Sequence, residues 1–137
     1  MRIDELFASA ASQGTTPVSF EMFPPKGELT LERAREVGSR FAELSPSFVS
    51  VTYSAGGSTN NAATTQIASM LTRELGITSC AHQTCISLHR EDLPAKIAEL
   101  RAAGIENVLA LRGDVPADAP TGPGCADYRY AMDIIPA

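Results

Sequence analysis

The chain has 137 residues and carries 11 Lys and Arg against 16 Asp and Glu, a formal net charge of -5. An acidic domain without a basic stripe is a poor binder of phosphate backbones, so no nucleic-acid partner is expected. Hydrophobic residues make up 44% and charged residues 20%, the balance of a globular domain rather than a disordered chain. No apolar run approaches the roughly 20 residues needed to cross a bilayer, and no charged-then-apolar leader opens the chain. A soluble, cytoplasmic protein with no membrane partner is therefore expected. Cys80, Cys85 and Cys125 are an odd count, which argues against a disulfide framework. The length fits one domain over 1–137.

In chain order, Ile3 to Ala11 reads as a short helix. Four segments rich in β-formers then recur: Pro17–Phe23, Ser47–Tyr53, Ile77–Cys85 and Glu106–Leu111. Their starts lie about 30 residues apart, room for a strand, a helix and two loops. Between them, Thr30 to Leu44 places Leu31, Ala34, Val37, Phe41 and Leu44 on one helical face. Ala62 to Leu75 repeats the pattern with Ile67, Met70, Leu71 and Leu75, and Gly76 is its C-cap. Asp92 is the expected cap of a third helix, with Pro94 in its first turn and Gly104 at its end. A fourth helix is expected from about Asp127. Pro116–Gly124 reads as a loop.

Strand alternating with helix predicts a parallel sheet, either an open doubly wound sheet or a barrel. The strand faces favour the barrel. Val18, Phe20 and Met22 oppose Ser19, Glu21 and Phe23. Val49, Val51 and Tyr53 oppose Ser50 and Thr52, while Cys80, His82 and Thr84 share a side. In the last strand Leu109 and Leu111 oppose Ala110 and Arg112. One apolar face suits covering helices, and a mixed face has its polar members near the strand ends, as in a barrel lumen with a site at its C-terminal rim. A (β/α)8 barrel takes about 250 residues, so four units make half of one. Half a barrel with open edges is marginal alone. The expectation is the N-terminal portion of a longer protein, favoured by an end inside the apparent fourth helix, or else two half-barrels associating.

Several residues invite chemistry. Glu21 stands near a strand end between Phe20 and Met22, ahead of Pro24-Pro25. Apolar surroundings raise a carboxylic acid's pKa and suit it to general-acid work. A solvated acid, or a partner for Lys26, is the plainer alternative. His82 reads as a hydrogen-bonding histidine at the rim or a buried structural one. A strand puts Cys85 on the side opposite Cys80 and His82, and no CxxC pair supports zinc, so no metal is expected. His89 reads as a surface residue. Arg112-Gly113-Asp114 offers a cation for a phosphate or carbonyl, a bare backbone and an anion for ring N–H groups. A salt-bridged turn is the plainer alternative. Val51 to Ser58 is a strand followed by a small-residue loop without the GxGxxG or GxxxxGK[ST] pattern. Glu21, Thr52, His82 and Arg112–Asp114 all fall at the ends of successive strands, which in a parallel barrel is one rim.

Four motifs stand in order: Phe20-Glu21-Met22-Phe23-Pro24-Pro25-Lys26, Phe48 to Tyr53, Ala81-His82-Gln83-Thr84-Cys85, and Asn107 to Pro116 with its Arg112-Gly113-Asp114. Together they resemble the methylenetetrahydrofolate reductase family, from about residue 15 onward. The resemblance implies a flavin-dependent (β/α)8 barrel of which this chain holds about the first four units. It implies FAD as cofactor, NADH or NADPH as reductant, reduction of 5,10-methylenetetrahydrofolate to 5-methyltetrahydrofolate for methionine synthesis, and a homo-oligomer. It implies that Glu21 is the acid that opens the methylene bridge. Thr52, Tyr53 and Ala55 then sit near flavin and nicotinamide, and His82, Arg112, Gly113 and Asp114 contact FAD. Asp114 also reaches the folate pterin, and Ala131 lies along the cofactor. Two departures accompany the match. Asn60-Asn61-Ala62-Ala63-Thr64 stands where the family carries an Arg–Thr pair, and the second half of the barrel, which completes the FAD and folate sites, is missing. The alternatives are an inactive half-barrel acting in assembly or regulation, and a flavin-binding fragment without turnover.

Overall fold

A computed structural model of the protein describes residues 1–24, 31–53, 61–86, 88–114 and 127–135. Helix α1 (Ile3–Gln13) precedes strand β1 (Ser19–Met22), α2 (Leu31–Glu43), β2 (Phe48–Val51), α3 (Asn61–Arg73), β3 (Ser79–Thr84), α4 (Leu93–Ala102) and β4 (Asn107–Leu111). A single 3₁₀ turn, Ala131–Ile134, closes the described chain. The four strands form one sheet in the order β1-β2-β3-β4, and every neighbouring pair is parallel. This is the four-unit, half-barrel α/β arrangement expected from the repeat. No helix among the described residues is long and apolar enough to cross a membrane.

The apolar periodicities explain the layering. Met22, Val49, Val51 and Ala81 project from one face of the sheet and pack under Ala34 of α2 and Ile67, Met70 and Leu71 of α3. Gly38 lets α2 and α3 approach closely. A Cβ there would stand 2.8 Å from Leu75 Cδ1 and 3.0 Å from Leu71 Cδ2. Gly76 adopts φ 66°, and the Ile77 amide reaches back to the Leu71 carbonyl at 2.9 Å, so a left-handed glycine closes α3. A second cluster joins Cys85, Leu93, Tyr128 and Ile134 with Ile97 and Ala110, beneath α4.

Two sequence expectations are corrected. Asp92 stands at the N-cap of α4 in helical conformation, and its side chain makes no capping hydrogen bond. No α-helix starts at Asp127 among the described residues. Its carboxylate instead accepts the Arg90 amide at 2.7 Å, which ties it to the loop before α4. The local cap passes to Asp133, which accepts the amides of Arg129 and Tyr130 at 2.9 and 2.8 Å and holds one 3₁₀ turn.

The opposite face of the sheet is open and concave. Helix α1 closes its N-terminal end. Asn107 accepts the Ile3 amide at 2.9 Å and donates to the Met1 and Ser79 carbonyls at 3.1 Å. Phe7 meets Phe48 edge-on, with centroids 6.3 Å apart. The result is a trough whose N-terminal end is lined by Arg2, Ile3 and Asp4 of the α1 segment.

Candidate active site

The trough has a volume of about 1080 Å³; its lining runs from Ile3, Ser19, Phe48 and Asn107 at the strand N-termini to Glu21, Ser50, Cys80, His82 and Leu109, and Thr52 and Arg112–Asp114 lie outside it. Register explains the set. Glu21 pairs with Ser50, Ser50 with Cys80, and His82 with Leu109, and directly paired residues share a face. Leu109 therefore faces the trough beside His82, while Ala110 packs beneath Tyr128 and Ile134.

Glu21 is not in the dry setting expected from its sequence neighbours. Phe20 and Met22 project to the helix-covered face, where Phe20 stacks on Phe41 at 4.8 Å. The Glu21 side chain remains 48% exposed, because strand alternation carries its neighbours away from it. His82 is its counterpart, with a side chain only 8% exposed. The His82 Nε2 lies 3.8 Å from Glu21 Oε2 and has no hydrogen-bond partner among the described residues. Burial pushes this imidazole below its ordinary pKa, and the Glu21 carboxylate opposes that push. An acid and a histidine from non-adjacent strands are thus brought together on the trough wall.

Thr52 follows β2 directly and is buried. Its amide donates to the Met22 carbonyl at 2.9 Å, and its carbonyl accepts the Thr64 hydroxyl at 3.0 Å. Thr64 was not singled out as a site residue from sequence. Its signal was its place in the first turn of α3, inside the segment that departs from the family pattern. Tyr53 is half-buried. Burial pushes its phenol up, offset in part by hydrogen bonding with Thr84 and Gln83. Ala55 lies outside the described residues, as do Lys26 and Cys125.

The β3–β4 ladder continues past the strand ends. The Cys85 amide donates to the Leu111 carbonyl and the Ile86 amide to the Arg112 carbonyl, both at 2.9 Å. These bonds fix where Arg112-Gly113-Asp114 emerges. Gly113 adopts φ 83°, and a Cβ there would stand 3.0 Å from Thr84 Cβ and 3.1 Å from Ile86 Cγ2. Only glycine meets both demands without strain. Arg112 and Asp114 are exposed, and Arg112 makes no ion pair among the described residues. Ala131 opens the 3₁₀ turn, which packs through Ile134 on the helix-bearing side of β4.

Thr52 and Arg112–Asp114 follow the C-terminal ends of β2 and β4, whereas Glu21 is in register, through Ser50 and Cys80, with Asn107 at the start of β4. Direct proximity is observed for Glu21 and His82, and Ala131 lies across β4 from them. Cys80 also faces the trough, and burial pushes its thiol up. Among the described residues no three His, Cys, Asp or Glu side chains converge to hold a metal ion.

Four parallel strands in sequential order, joined by three helices, define half of a (β/α)8-type barrel. Residues 6–137 match the family model described as methylenetetrahydrofolate reductase, and the chain belongs to that family. It is 38% identical over 116 residues to methylenetetrahydrofolate reductase (NADH) 1 of Arabidopsis thaliana, covering 85% of this chain and 19% of that protein. It is 34% identical over 126 residues to 5,10-methylenetetrahydrofolate reductase of Pectobacterium carotovorum, covering 92% of this chain and 40% of that protein. Methylenetetrahydrofolate reductase 2 of Saccharomyces cerevisiae is 31% identical over 126 residues, covering 90% and 21%. The chain thus spans about a fifth to two fifths of the length of these relatives.

Proposed function

We propose that residues 1–137 form the N-terminal half of the catalytic barrel of a methylenetetrahydrofolate reductase. The reaction is reduction of 5,10-methylenetetrahydrofolate to 5-methyltetrahydrofolate, which feeds methionine synthesis. The observation that carries the reading is the half-exposed Glu21 carboxyl in a trough beside buried His82, in a chain of this family. FAD is the proposed cofactor and NADH or NADPH the reductant. The plant relative above is named for NADH.

The donor set at the rim fits a flavin. Arg112, the Gly113 amide and the Thr52 hydroxyl offer donors for ring carbonyls, and Asp114 offers an acceptor for a ring N–H. Tyr53, Ala55 and His82 complete the proposed cofactor contacts, and Ala131, across β4 from the trough, is not among them. When bound, FAD supplies hydride transfer from the nicotinamide to the folate methylene carbon.

The chain's own residues supply the proton. Glu21 delivers it to a folate ring nitrogen, so that the methylene bridge opens to an iminium that can accept hydride. Its exposure to the trough leaves the carboxyl free to meet a bound pterin, and Asp114 orients that ring from the β4 side. Thr64 holds the Thr52 carbonyl and thereby the rim of β2. The test is NAD(P)H oxidation by the full-length protein, with FAD, in the presence and absence of methylenetetrahydrofolate. Folate-dependent oxidation supports the reading, and its absence in a flavin-loaded protein contradicts it.

A second reading rests on the sheet edges. β1 and β4 are edge strands among the described residues, and Val18, Val108 and Leu109 are exposed there at 57%, 46% and 44%. These edges favour association, either with further strands or with a second copy, and a homo-oligomer is proposed on that ground. A colourless protein that assembles without binding flavin would favour the assembly reading.

A further inference from the structure

We propose that His82 is the positioning residue of Glu21: its Nε2 holds the Glu21 carboxyl across the width of β2 and couples the protonation of the acid to that of the imidazole. This rests on the function proposed above for Glu21, but the coupling itself does not require that function.

Three observations carry it. The Nε2 atom is buried and has no hydrogen-bond partner among the described residues. A buried unpartnered polar nitrogen is costly and rare in native proteins. The nearest carboxylate oxygen, Glu21 Oε2, stands 3.8 Å away. An approach of roughly 0.8 Å brings it to ordinary hydrogen-bond length, within reach of a half-exposed side chain. The intervening strand places Ser50 directly beside Glu21, a side chain short enough to leave the line open, with Phe48 on the same face nearer the closed end.

No other charge takes this place among the described residues. On β3 itself, Cys80 faces the same trough, with its thiol pushed up by burial and so neutral. From the end of β2, Tyr53 carries a phenol that burial pushes up and so keeps neutral. On β4, Asn107 and Leu109 carry no charge, and Arg112 and Asp114 lie beyond the strand end. At the closed end Arg2 is paired with Asp4 at 2.9 Å. Burial favours the neutral imidazole, and the Glu21 carboxylate favours the charged one.

The consequence for the acid follows. When Glu21 gives its proton to the folate nitrogen, a carboxylate remains, and an Nε2–H can donate to it. The proton lost is restored from solvent, so nothing is oxidised or reduced in this exchange. The inference assigns Nε2 to the carboxyl and leaves the rest of the ring for the cofactor.

The test is an NMR titration of histidine ring signals in the full-length protein, with His82 assigned from a His82→Gln variant. In Glu21→Gln the His82 midpoint should fall by about half to one pH unit, because the supporting charge is gone and the burial remains. His89, 57% exposed and facing Asp127 at 3.9 Å, should not move. An unchanged or raised His82 midpoint overturns the coupling. In His82→Gln, or in His82→Asn if the first misfolds, the pH midpoint of the folate-dependent step should move by a similar amount. A coupled titration with an unmoved folate profile overturns the positioning role. A coupled titration in a protein that never turns over folate leaves the pair standing and contradicts the proposed function.

Discussion

At the residue scale the rim is fixed by backbone demands as much as by side-chain chemistry. Gly113 combines φ 83° with a Cβ position 3.0 Å from Thr84. Gly113→Ala should therefore lose about 1–3 kcal/mol of stability, read as a lower urea midpoint at unchanged slope. An unaltered midpoint would show that the rim relaxes freely. His82 gives the pH dependence its sign. Its folded pKa is depressed by burial, so the unfolded chain binds the proton more readily. Its contribution is intact above the unfolded value near 6.5 and is lost as pH falls from there toward the lower folded value. Urea midpoints measured at pH 7.5 and 5.5 should fall with acid in wild type. The fall should be smaller in His82→Gln, and an equal fall would assign it to other groups.

At the element scale, alternation and helical period made the layers legible. Met22, Val49 and Val51 on one face predicted the helix-covered side, but β4 departs from its apolar pattern: Leu109 faces the trough beside His82 and Ala110 packs under α4. Glu21's environment was misread because Phe20 and Met22 are its neighbours in sequence but not in space. The Glu21–His82 meeting was not legible either. It joins β1 to β3 across a curved sheet, and curvature is a property of the assembled strands. Among the described residues no α-helix follows Asp127, whose carboxylate accepts the Arg90 amide, a long-range bond with no local signature. The anchor from α3 to β2 yields a further prediction. Thr64→Val removes the donor to the buried Thr52 carbonyl, at a cost of about 1–3 kcal/mol. In the full-length protein it should also weaken FAD binding, measured by fluorescence quenching. Unchanged affinity would separate the β2 rim from the cofactor.

At the scale of the whole molecule, the trough is half of an enclosure. The chain spans 40% of the Pectobacterium relative, and the adenosine half of FAD would find little wall here. Losing half of a ligand's buried surface costs several kcal/mol, enough to move a tight site to roughly millimolar. Calorimetry on the 137-residue chain should detect weak FAD binding or none. Submicromolar affinity would mean that these four units carry the site alone.

The central claim is that Glu21 is the proton donor to folate, and one stopped-flow experiment addresses it directly. Glu21→Gln is placed in the full-length protein, and the flavin absorbance band reports two half-reactions separately. Reduction by NAD(P)H needs no acid from the protein and should stay within about tenfold of wild type. Reoxidation by methylenetetrahydrofolate should slow by at least the roughly 10²-fold typical of a lost general acid. Equal slowing of both half-reactions would contradict the account, making Glu21 a residue that positions the cofactor rather than one that donates a proton.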